Sequence, residues 1–433
     1  MSDTRSAELY ERAKRTLPGG VSRNTVLRSP HPLYVDRASG CRVTDIEGVE
    51  HIDFANNMAS LIHGHSHPKI VEAVSEQLSK GTAFTLATEI EIEFAEHLCN
   101  RNPGFERIRF VNSGTEAVMG AVKAARAATG RPKIAKIEGS YHGLYDFAEV
   151  SQTANPTNWG DEHKPESVPV AFGTPQSVLR DVVVLPFNDP ERAVEILEDH
   201  AGEIACVVLD PMPHRVGLVP ATAEFVQALS DWTKSDGSLL VFDEVITFRT
   251  EYGGLQERYG ATPDLTALGK IIGGGFPVGA LAGRADVMEV MDPLQATVRF
   301  PHSGTFSANP ITMTAGLVAM EMYDREAIKR LNKLTRRAKQ GIRDAIEDTN
   351  VEACLTGSGA FFRIHMRPSP PVNHRDAYPT DDEAKRRGML LDYLYESGFM
   401  MINTCSATLS TPMTEVEIDA LVDTVAEGLA MVG

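Results

Sequence analysis

The sequence lacks several features that define specialised classes of protein. It contains only 5 cysteines in 433 residues, and these are odd in number, widely separated and never arranged as C-x-x-C. Free, buried thiols in a reducing cytoplasm fit this pattern best. No run reaches the roughly 18 apolar residues that a membrane helix needs, and the N-terminus lacks the apolar core of a signal peptide. We therefore predict a cytoplasmic protein that does not interact with membranes.

An excess of positive charge is also absent. The chain has 42 Lys and Arg against 59 Asp and Glu, so its net charge is −17 and its pI is near 5.3. This balance argues against a partner that is a nucleic acid or an anionic membrane. Hydrophobic residues (42%) and charged residues (23%) are near globular averages. We expect a soluble folded protein of roughly two to three domains that acts on small molecules.

Short apolar strands alternate with helices in the middle of the chain, from about residue 107 to residue 245. Strands spaced in this way need crossover helices, which predicts a mostly parallel sheet covered by helices, with ligands at the carboxyl ends of its strands. We predict an N-terminal segment, 1–50, that joins a small domain, a large domain over 51–320, and a C-terminal small α+β domain over 321–433. The long polar connection 151–181 is a candidate lid.

Charged residues follow two of these strands. The apolar segment 239–242 ends in Asp243 and Glu244, and Lys270 follows another apolar strand and precedes the glycine run 273–275. A buried aspartate at a strand end needs a cationic partner. Burial lowers the pKa of a lysine and favours Schiff-base chemistry, although a lone lysine here is more often a solvated loop residue.

Two further motifs supply polar groups at strand ends. Ser113, Gly114 and Thr115 lie between a strand and a helix, where hydroxyls and free N–H groups form a phosphate cup or, alternatively, a simple helix cap. Tyr141 and His142 lie between glycines after another strand, and the tyrosine is either a stacking ring for a planar cofactor or an ordinary turn aromatic. A phosphate cup, a stacking ring, a carboxylate at a strand end and a buried lysine are the groups that bind pyridoxal 5′-phosphate (PLP). Their combination predicts a site for this cofactor.

Seven motifs, in this order along the chain, resemble the class III aminotransferase family of fold-type I PLP enzymes. Within that family the sequence is similar to the branch of glutamate-1-semialdehyde aminomutases and β-amino-acid aminotransferases. The resemblance covers nearly the whole length and implies an α/β fold with a large domain on a mostly parallel central sheet and a smaller α+β domain formed by both chain ends. The motifs are PGGVSRNT at 18–25, HGHSHP at 63–68, NSGTEA at 112–117, GSYHG at 139–143, FDEV at 242–245, GK with GGG at 269–275, and HSGTF at 302–306.

The resemblance implies a role for each matching residue. Lys270 matches the Schiff-base lysine that also shuttles the proton, and Asp243 matches the carboxylate on the pyridinium nitrogen. Val245 and Tyr141 match the groups on the two faces of the ring. Thr305 matches a hydroxyl that reaches the phosphate from the neighbouring subunit, which implies a homodimer with shared active sites. The predicted cofactor-binding residues are Ser113, Gly114, Thr115, Tyr141, His142, Asp243, Val245, Lys270 and Thr305.

Arg23 and Arg215 are the predicted substrate-binding residues. Arg23 matches an arginine with which β-amino-acid aminotransferases bind a carboxylate, and a guanidinium suits that role. Aminomutases usually read NSPVR at this segment and lack the arginine, so VSRNT favours the aminotransferase.

Three departures from the family limit this assignment. The usual Glu-Pro after the strand at 204–209 is Asp210-Pro211, and His214 and Arg215 stand where small residues are common, so that either can reshape the pocket or bind an anion. The C-terminal arginine of some β-amino-acid enzymes is missing from 402–406, which argues against a strongly dicarboxylate-specific site.

We expect a PLP-dependent aminotransferase that moves an amino group from an amino acid, β-amino acids included, or an amine to a 2-oxo acid in two half-reactions. The alternative is a glutamate-1-semialdehyde 2,1-aminomutase, because the segment 166–186 resembles the corresponding aminomutase segment. A racemase, a decarboxylating transaminase and an inert cofactor-binding scaffold are weaker alternatives. His63, His65 and His67 alternate in an irregular turn without a cysteine or carboxylate, so we expect no metal site.

Overall fold

The structure is a computed structural model that describes residues 4–433. The α-helices are α1 (Arg5–Ala13), α2 (Asn56–Ala59), α3 (Pro68–Lys80), α4 (Glu89–Cys99), α5 (Gly114–Thr129), α6 (Asp146–Glu149), α7 (Gln176–Arg180), α8 (Pro190–Glu198), α9 (Ala223–Asp236), α10 (Ala285–Met288), α11 (Pro310–Met322), α12 (Arg325–Thr349), α13 (Asp381–Glu396) and α14 (Glu415–Val432). The strands are β1 (Val35–Ser39), β2 (Arg42–Asp45), β3 (Glu50–Asp53), β4 (Arg107–Val111), β5 (Lys133–Ile137), β6 (Gly160–Asp161), β7 (Lys164–Pro165), β8 (Val182–Leu185), β9 (Ile204–Leu209), β10 (Leu239–Asp243), β11 (Leu265–Gly269), β12 (Gly279–Gly283), β13 (Cys354–Thr356), β14 (Phe361–His365), β15 (Phe399–Met400) and β16 (Ser406–Thr408). Short 3-10 helices occupy Pro18–Gly20, Asn24–Val26, His214–Val216, Thr247–Arg249, Leu255–Arg258, Lys270–Gly273 and Glu289–Met291.

A seven-stranded sheet forms the centre of the molecule, in the order β4-β12-β11-β10-β9-β5-β8. β12 runs antiparallel to β11 and β4, and the other neighbouring strands are parallel. Every residue of β9, β10 and β11 is buried, as expected for parallel strands that are covered on both faces. The predicted α/β fold with a mostly parallel central sheet is confirmed.

Adjacent residues of β9 show how the two faces of this sheet are covered. Val208 packs in a hydrophobic cluster with Val118 of α5, whereas Val207 packs in another cluster with Phe225 of α9. Successive side chains of a strand point to opposite faces, so α5 and α9 lie on opposite sides of the sheet. Both helices begin at a threonine or serine cap and end at a left-handed glycine, which explains their sharp boundaries.

Two of the seven strands, β8 and β12, were not predicted from the alternation of apolar segments and helices. β12 has the sequence GALAG, and its small residues have a low intrinsic preference for strands. The structure explains the glycine at position 279, because an added Cβ would overlap the backbone carbonyl of Ser113. The missed strand therefore lets the start of α5 pack directly against the sheet. β8 is a run of buried valines and a leucine that directly follows the long polar connection.

Both chain ends contribute to the smaller sheets. β15 pairs in parallel with β3, which builds the four-stranded sheet β1-β2-β3-β15 from the two ends of the sequence. β13, β14 and β16 form a separate antiparallel sheet, and the long helix α12 packs along α14. β3 spans the predicted boundary at residue 50, and the boundaries at residues 50 and 320 stay predictions.

Candidate active site

Asp243 is the last residue of β10 and lies at the carboxyl edge of the central sheet. Its buried carboxylate accepts the backbone N–H of Val245 at 3.0 Å and a hydrogen bond from His142 Nδ1 at 2.8 Å. Burial lowers the pKa of the His142 imidazole, although the carboxylate opposes this shift. The Nε2 atom of His142 is buried without a partner within residues 4–433. Asp243 is therefore held in one orientation at the position where a cationic ligand is expected.

Lys270 directly follows β11 and opens a 3-10 helix. Its backbone has φ +50°, in the left-handed region that residues with side chains rarely adopt, and such outliers concentrate at functional sites. The side chain lies deep in the fold and retains partial exposure. Burial lowers the pKa of its ammonium group, and the carboxylates of Asp243 and Asp210 oppose this shift. The amine therefore loses its proton more easily than a surface lysine does, as a nucleophile requires.

The start of α5 presents free hydrogen-bond donors. Ser113 is the N-cap, and its Oγ accepts the N–H of Glu116 at 3.1 Å, so the predicted cap is present while the hydroxyl hydrogen remains available to a ligand. The N–H groups of Gly114 and Thr115 have no acceptor within residues 4–433. These donors and the positive end of the helix dipole suit an anion such as a phosphate.

Close packing brings the three strand ends and the helix start together. A Cβ added to Gly114 would lie 2.9 Å from Val245 Cγ1, and one added to Gly269 would lie 3.2 Å from the same atom. A Cβ added to Gly143 would lie 2.8 Å from the Cα of Thr115. Val245 thus joins β10 to the start of α5 and to the end of β11, while the loop after β5 lies against the same helix. Together, the donors at the start of α5, the carboxylate of Asp243 and the amine of Lys270 have the chemistry that a flat, phosphorylated cofactor requires.

Tyr141 and Arg215 lie together at the rim of this pocket. The tyrosine ring is 42% exposed, and the guanidinium carbon of Arg215 lies 5.1 Å from the ring centroid. Arg215 also donates to the carbonyl of Gln152 at 3.2 Å, and burial lowers the pKa of its guanidinium. The structure therefore places the predicted stacking ring beside one of the two predicted substrate-binding arginines.

Lys136 is a buried cation that sequence analysis missed. Its Nζ donates to the carbonyls of Ile137, Ser140 and Val150 at 3.3, 3.0 and 2.7 Å, and burial lowers its pKa to about 7. Three acceptors match the three hydrogens of an ammonium group. The lysine thereby holds the loop that carries Tyr141 against β5. A charged residue inside the apolar strand KIAKI was the available sequence signal.

The long connection that is the predicted lid is held by Arg375. This guanidinium donates to the carbonyls of Trp159, Gly160 and Asp161 at 2.8–2.9 Å and forms a buried ion pair with Glu138. Glu138 directly follows β5 and immediately precedes the Tyr141 loop. These contacts fix the first half of the connection 151–181 next to the loop that carries Tyr141. They do not support the prediction that this half is a lid.

Asp210 is a second buried carboxyl group near Lys270. It follows β9 and accepts a hydrogen bond from the N–H of Met212 at 2.9 Å. It stands at the position where the family that the sequence resembles usually has a glutamate. Burial and the neighbouring Asp243 raise the pKa of Asp210 well above its usual range, and Lys270 opposes this shift. Asp210 therefore binds a proton more readily than an exposed aspartate does.

Arg23 and Thr305 form no hydrogen bond with these site residues within residues 4–433. Arg23 is exposed and donates to Asn57 Oδ1 at 2.7 Å. Asn57 belongs to the turn Asn56–Ala59, in which all four residues have left-handed φ values of 46–68°. Thr305 is exposed on the loop before α11. No hydrogen bond within residues 4–433 joins either side chain to Lys270, and their roles stay predictions.

The rings of His63 and His67 lie with their centroids 5.5 Å apart, whereas His65 has a different partner. The ring of His63 is hydrogen-bonded to Thr411 and to the carbonyl of Ala319, whereas His65 pairs with Asp53. In the described part of the chain, no group of three or more His, Cys, Asp or Glu side chains could hold a metal ion. None of the helices formed by residues 4–433 is long and apolar enough to cross a membrane.

Lys270, Asp243 and the start of α5 meet at the carboxyl edge of the central sheet, and this fold and site define an α/β enzyme of the fold-type I class. Solved structures share the fold over almost the whole chain. An omega-transaminase from Sphaerobacter thermophilus superposes with a TM-score of 0.97 at 46% identity, covering 99% of this chain and 98% of that one. A transaminase with PLP bound superposes with a TM-score of 0.91 at 40% identity, covering 100% and 98%.

The chain belongs to the class-III aminotransferase family, which it matches over residues 25–427. It is 39% identical over 378 residues to the glutamate-1-semialdehyde 2,1-aminomutase of Methanothermobacter thermautotrophicus, which is 87% of each protein. These matches confirm the family, the fold class and the cofactor class that the sequence predicts.

Proposed function

We propose that the protein is a PLP-dependent aminotransferase that moves an amino group from an amino-acid or amine donor to a 2-oxo acid in two half-reactions. The observation that carries this proposal is the meeting of Lys270, Asp243 and the free N–H groups of α5 at the carboxyl edge of the central sheet. The 46% identity to an omega-transaminase over 99% of the chain supports amino transfer rather than isomerisation.

The residues of the pocket would divide the binding of PLP among them. The free N–H groups of Gly114 and Thr115 would hold the phosphate, and Asp243 would accept a hydrogen bond from the protonated ring nitrogen. When bound, PLP supplies an aldehyde that condenses with amines and a ring that accepts electrons from the substrate carbon. The proposed cofactor-binding residues within this subunit are Ser113, Gly114, Thr115, Tyr141, His142, Asp243, Val245 and Lys270.

Lys270 would act as both base and acid. Within the first half-reaction its Nζ would take the proton from the substrate carbon that bears the amino group and deliver it to the bound cofactor, and within the second it would move a proton in the opposite direction. Burial favours the neutral amine, while the carboxylate of Asp243 preserves part of its basicity. The hydrogen bond from His142 keeps Asp243 in place during both steps.

Sodium borohydride reduction tests this assignment directly. The reduced protein should carry the pyridoxyl group on the peptide that contains Lys270, as determined by mass spectrometry. Lys270→Ala should lose the visible absorbance band of the protonated imine. Attachment to another lysine, such as the buried Lys136, would contradict the proposal.

We further propose that the donor carries a carboxylate and that β-amino acids are included. Arg23 matches a carboxylate-binding arginine of the family, and Arg215 supplies a second guanidinium beside Tyr141. Arg23→Ala should lose activity towards carboxylated donors only. An equal loss towards plain amines would refute this role of Arg23.

A glutamate-1-semialdehyde 2,1-aminomutase is the second candidate, because a relative at 39% identity bears that name. Such an enzyme completes both half-reactions on one molecule. Incubation with a separate amino donor and 2-oxo acid distinguishes the two functions. Net transfer between molecules supports the aminotransferase, and isomerisation of one molecule supports the aminomutase.

We also propose a homodimer with shared active sites. Phe84, Leu86, Leu294 and Phe306 each expose half or more of their surface, and Phe306 adjoins Thr305. Light scattering should give twice the mass of 47.2 kDa. Thr305→Ala should lower activity, and mixing this variant with Lys270→Ala should restore part of it, because one site of each hybrid then has both residues. No restoration would refute shared sites. The cytoplasmic location stays a prediction.

A further inference from the structure

The loop after β9 places His214 next to the proposed site, although the family resemblance assigns no role to this residue. His214 begins a 3-10 helix, and the next residue, Arg215, lies over the ring of Tyr141. Burial and the nearby cations of Arg363, Lys270 and Arg215 lower the pKa of His214 to about 3. The imidazole is therefore neutral at physiological pH, and it lies in a region of positive potential.

Residues from the C-terminal part of the chain hold this imidazole in one orientation. His214 Nε2 lies 3.0 Å from Thr404 Oγ1, which lies 2.9 Å from Ser406 Oγ. The backbone carbonyl of His214 accepts a hydrogen bond of 3.2 Å from Arg363, whose residue is only 5% exposed. Arg363 and Ser406 are register partners on β14 and β16, so one small sheet supports both contacts.

The direction of these hydrogen bonds follows from the burial of Ser406. This residue is 0% exposed, and within residues 4–433 its hydroxyl has Thr404 Oγ1 as its sole hydrogen-bond partner. A buried hydroxyl hydrogen needs an acceptor, so Ser406 donates to Thr404 and Thr404 donates to His214 Nε2. A neutral imidazole that accepts at Nε2 carries its hydrogen on Nδ1. The Nδ1 atom has no partner in the described part of the chain and is not sealed from solvent.

We propose that His214 donates a hydrogen bond from Nδ1 to a carboxylate oxygen of the amino donor and thereby selects carboxylated donors. This inference rests on the proposed function and adds a specificity-determining residue to it. The surrounding cations favour an anionic group at this position, and the network through Thr404 and Ser406 keeps the imidazole hydrogen on Nδ1. The sequence already indicated that His214, at a position where small residues are common, can reshape the pocket or bind an anion.

Two donors that differ by one carboxylate group test the proposal with the holoenzyme. They are 3-amino-3-phenylpropanoate and 1-phenylethylamine. His214→Leu should raise the KM for the carboxylated donor by about 10- to 100-fold, the usual loss for a hydrogen bond to a charged group, and change the KM for the plain amine by less than about 3-fold. His214→Gln, which keeps an N–H donor, should lie between wild type and His214→Leu. Equal changes for both donors, or no change, would overturn the proposal.

A binding measurement separates this proposal from the proposed function. The unreactive carboxylate 3-phenylpropanoate should bind the wild-type holoenzyme, as followed by calorimetry, and bind His214→Leu about 10- to 100-fold more weakly. Thr404→Val removes the donor to Nε2 and should shift the affinity in the same direction by a smaller factor. If this pattern holds but no amino transfer occurs, the proposed function fails and the role of His214 stands. If transfer occurs and His214→Leu binds the carboxylate as wild type does, the role of His214 is refuted alone.

Discussion

Removal of the Arg375 guanidinium tests whether one buried ion pair holds the first half of the connection 151–181 next to the proposed active site. The side chains of Arg375 and Glu138 are only 14% and 4% exposed. Arg375 Nε lies 3.0 Å from Glu138 Oε2, and its NH2 lies 3.0 Å from Oε1. Arg375→Met keeps much of the apolar stem but leaves the carboxylate of Glu138 buried without a cation.

The expected cost is about 3–5 kcal/mol, which is typical for breaking a buried pair by removing one partner. The unfolding entropy of a chain of this length is about 0.9 kcal/mol/K near 60 °C, so the melting temperature should fall by about 3–6 °C if the chain unfolds cooperatively. The carbonyls of Trp159, Gly160 and Asp161 also lose their donor. The variant should therefore release PLP faster, because the Tyr141 loop directly follows Glu138.

Differential scanning calorimetry at a fixed PLP concentration measures the first effect. Arg337→Met is the matched control, since Arg337 also forms a two-pronged pair with Asp419, at 2.6 and 2.7 Å, but on the exposed surface. Solvent screens that pair, and no resolvable shift is expected. The double variant Glu138→Gln/Arg375→Met leaves no buried charge and should be less destabilised than the sum of the single variants. The reasoning is refuted if Arg375→Met melts no lower than the control, or if the double variant shows no such recovery.

Three further predictions concern the positioning residues and acid stability. Lys136→Met should release PLP faster during dialysis than Lys133→Met. The reason is that Lys136 holds buried carbonyls of the loop that carries Tyr141, whereas Lys133 pairs with the exposed Glu203. Equal release rates would contradict the role of Lys136 in positioning this loop. Gly143→Ala should weaken PLP binding in titrations of the apoenzyme, whereas Gly173→Ala, with a similar φ but open space around it, should not; equal affinities would argue against close packing at position 143. Burial lowers the pKa of His63 to about 4 from an ordinary value of 6.5, so the unfolded state gains its proton first as the pH falls. Between pH 7 and pH 5 this group should lower the free energy of unfolding of the wild-type chain by about 2 kcal/mol. The free energy of unfolding of His63→Gln should fall by about 2 kcal/mol less over the same range, as measured by denaturant titrations at the two pH values.

Local sequence was sufficient to predict the fold class and the centre of the proposed site. Asp243 and Lys270 each end an apolar strand, and Ser113 caps a helix that follows another strand. Such features are encoded by contiguous residues, because burial makes a strand apolar and free N–H groups require a cap at a helix start. The carboxyl ends of parallel strands then share one edge of the sheet. Arg23 and Thr305 were predicted from resemblance alone, and among residues 4–433 no hydrogen bond joins either side chain to Lys270 or Asp243.

Tertiary structure alone decided how those residues are supported. His142 and Asp243 are 101 positions apart, and Glu138 and Arg375 are 237 apart, so no local pattern relates the members of either pair. The direction of the His214 network likewise depends on the burial of Ser406 in a different sheet. The periodicity of apolar residues predicts which face of a helix or strand is buried. It does not predict which polar side chain from a distant part of the chain packs against that face. The sequence therefore determined where the residues of the proposed site lie along the chain, and long-range packing determined the hydrogen bonds and burial that orient the groups around them.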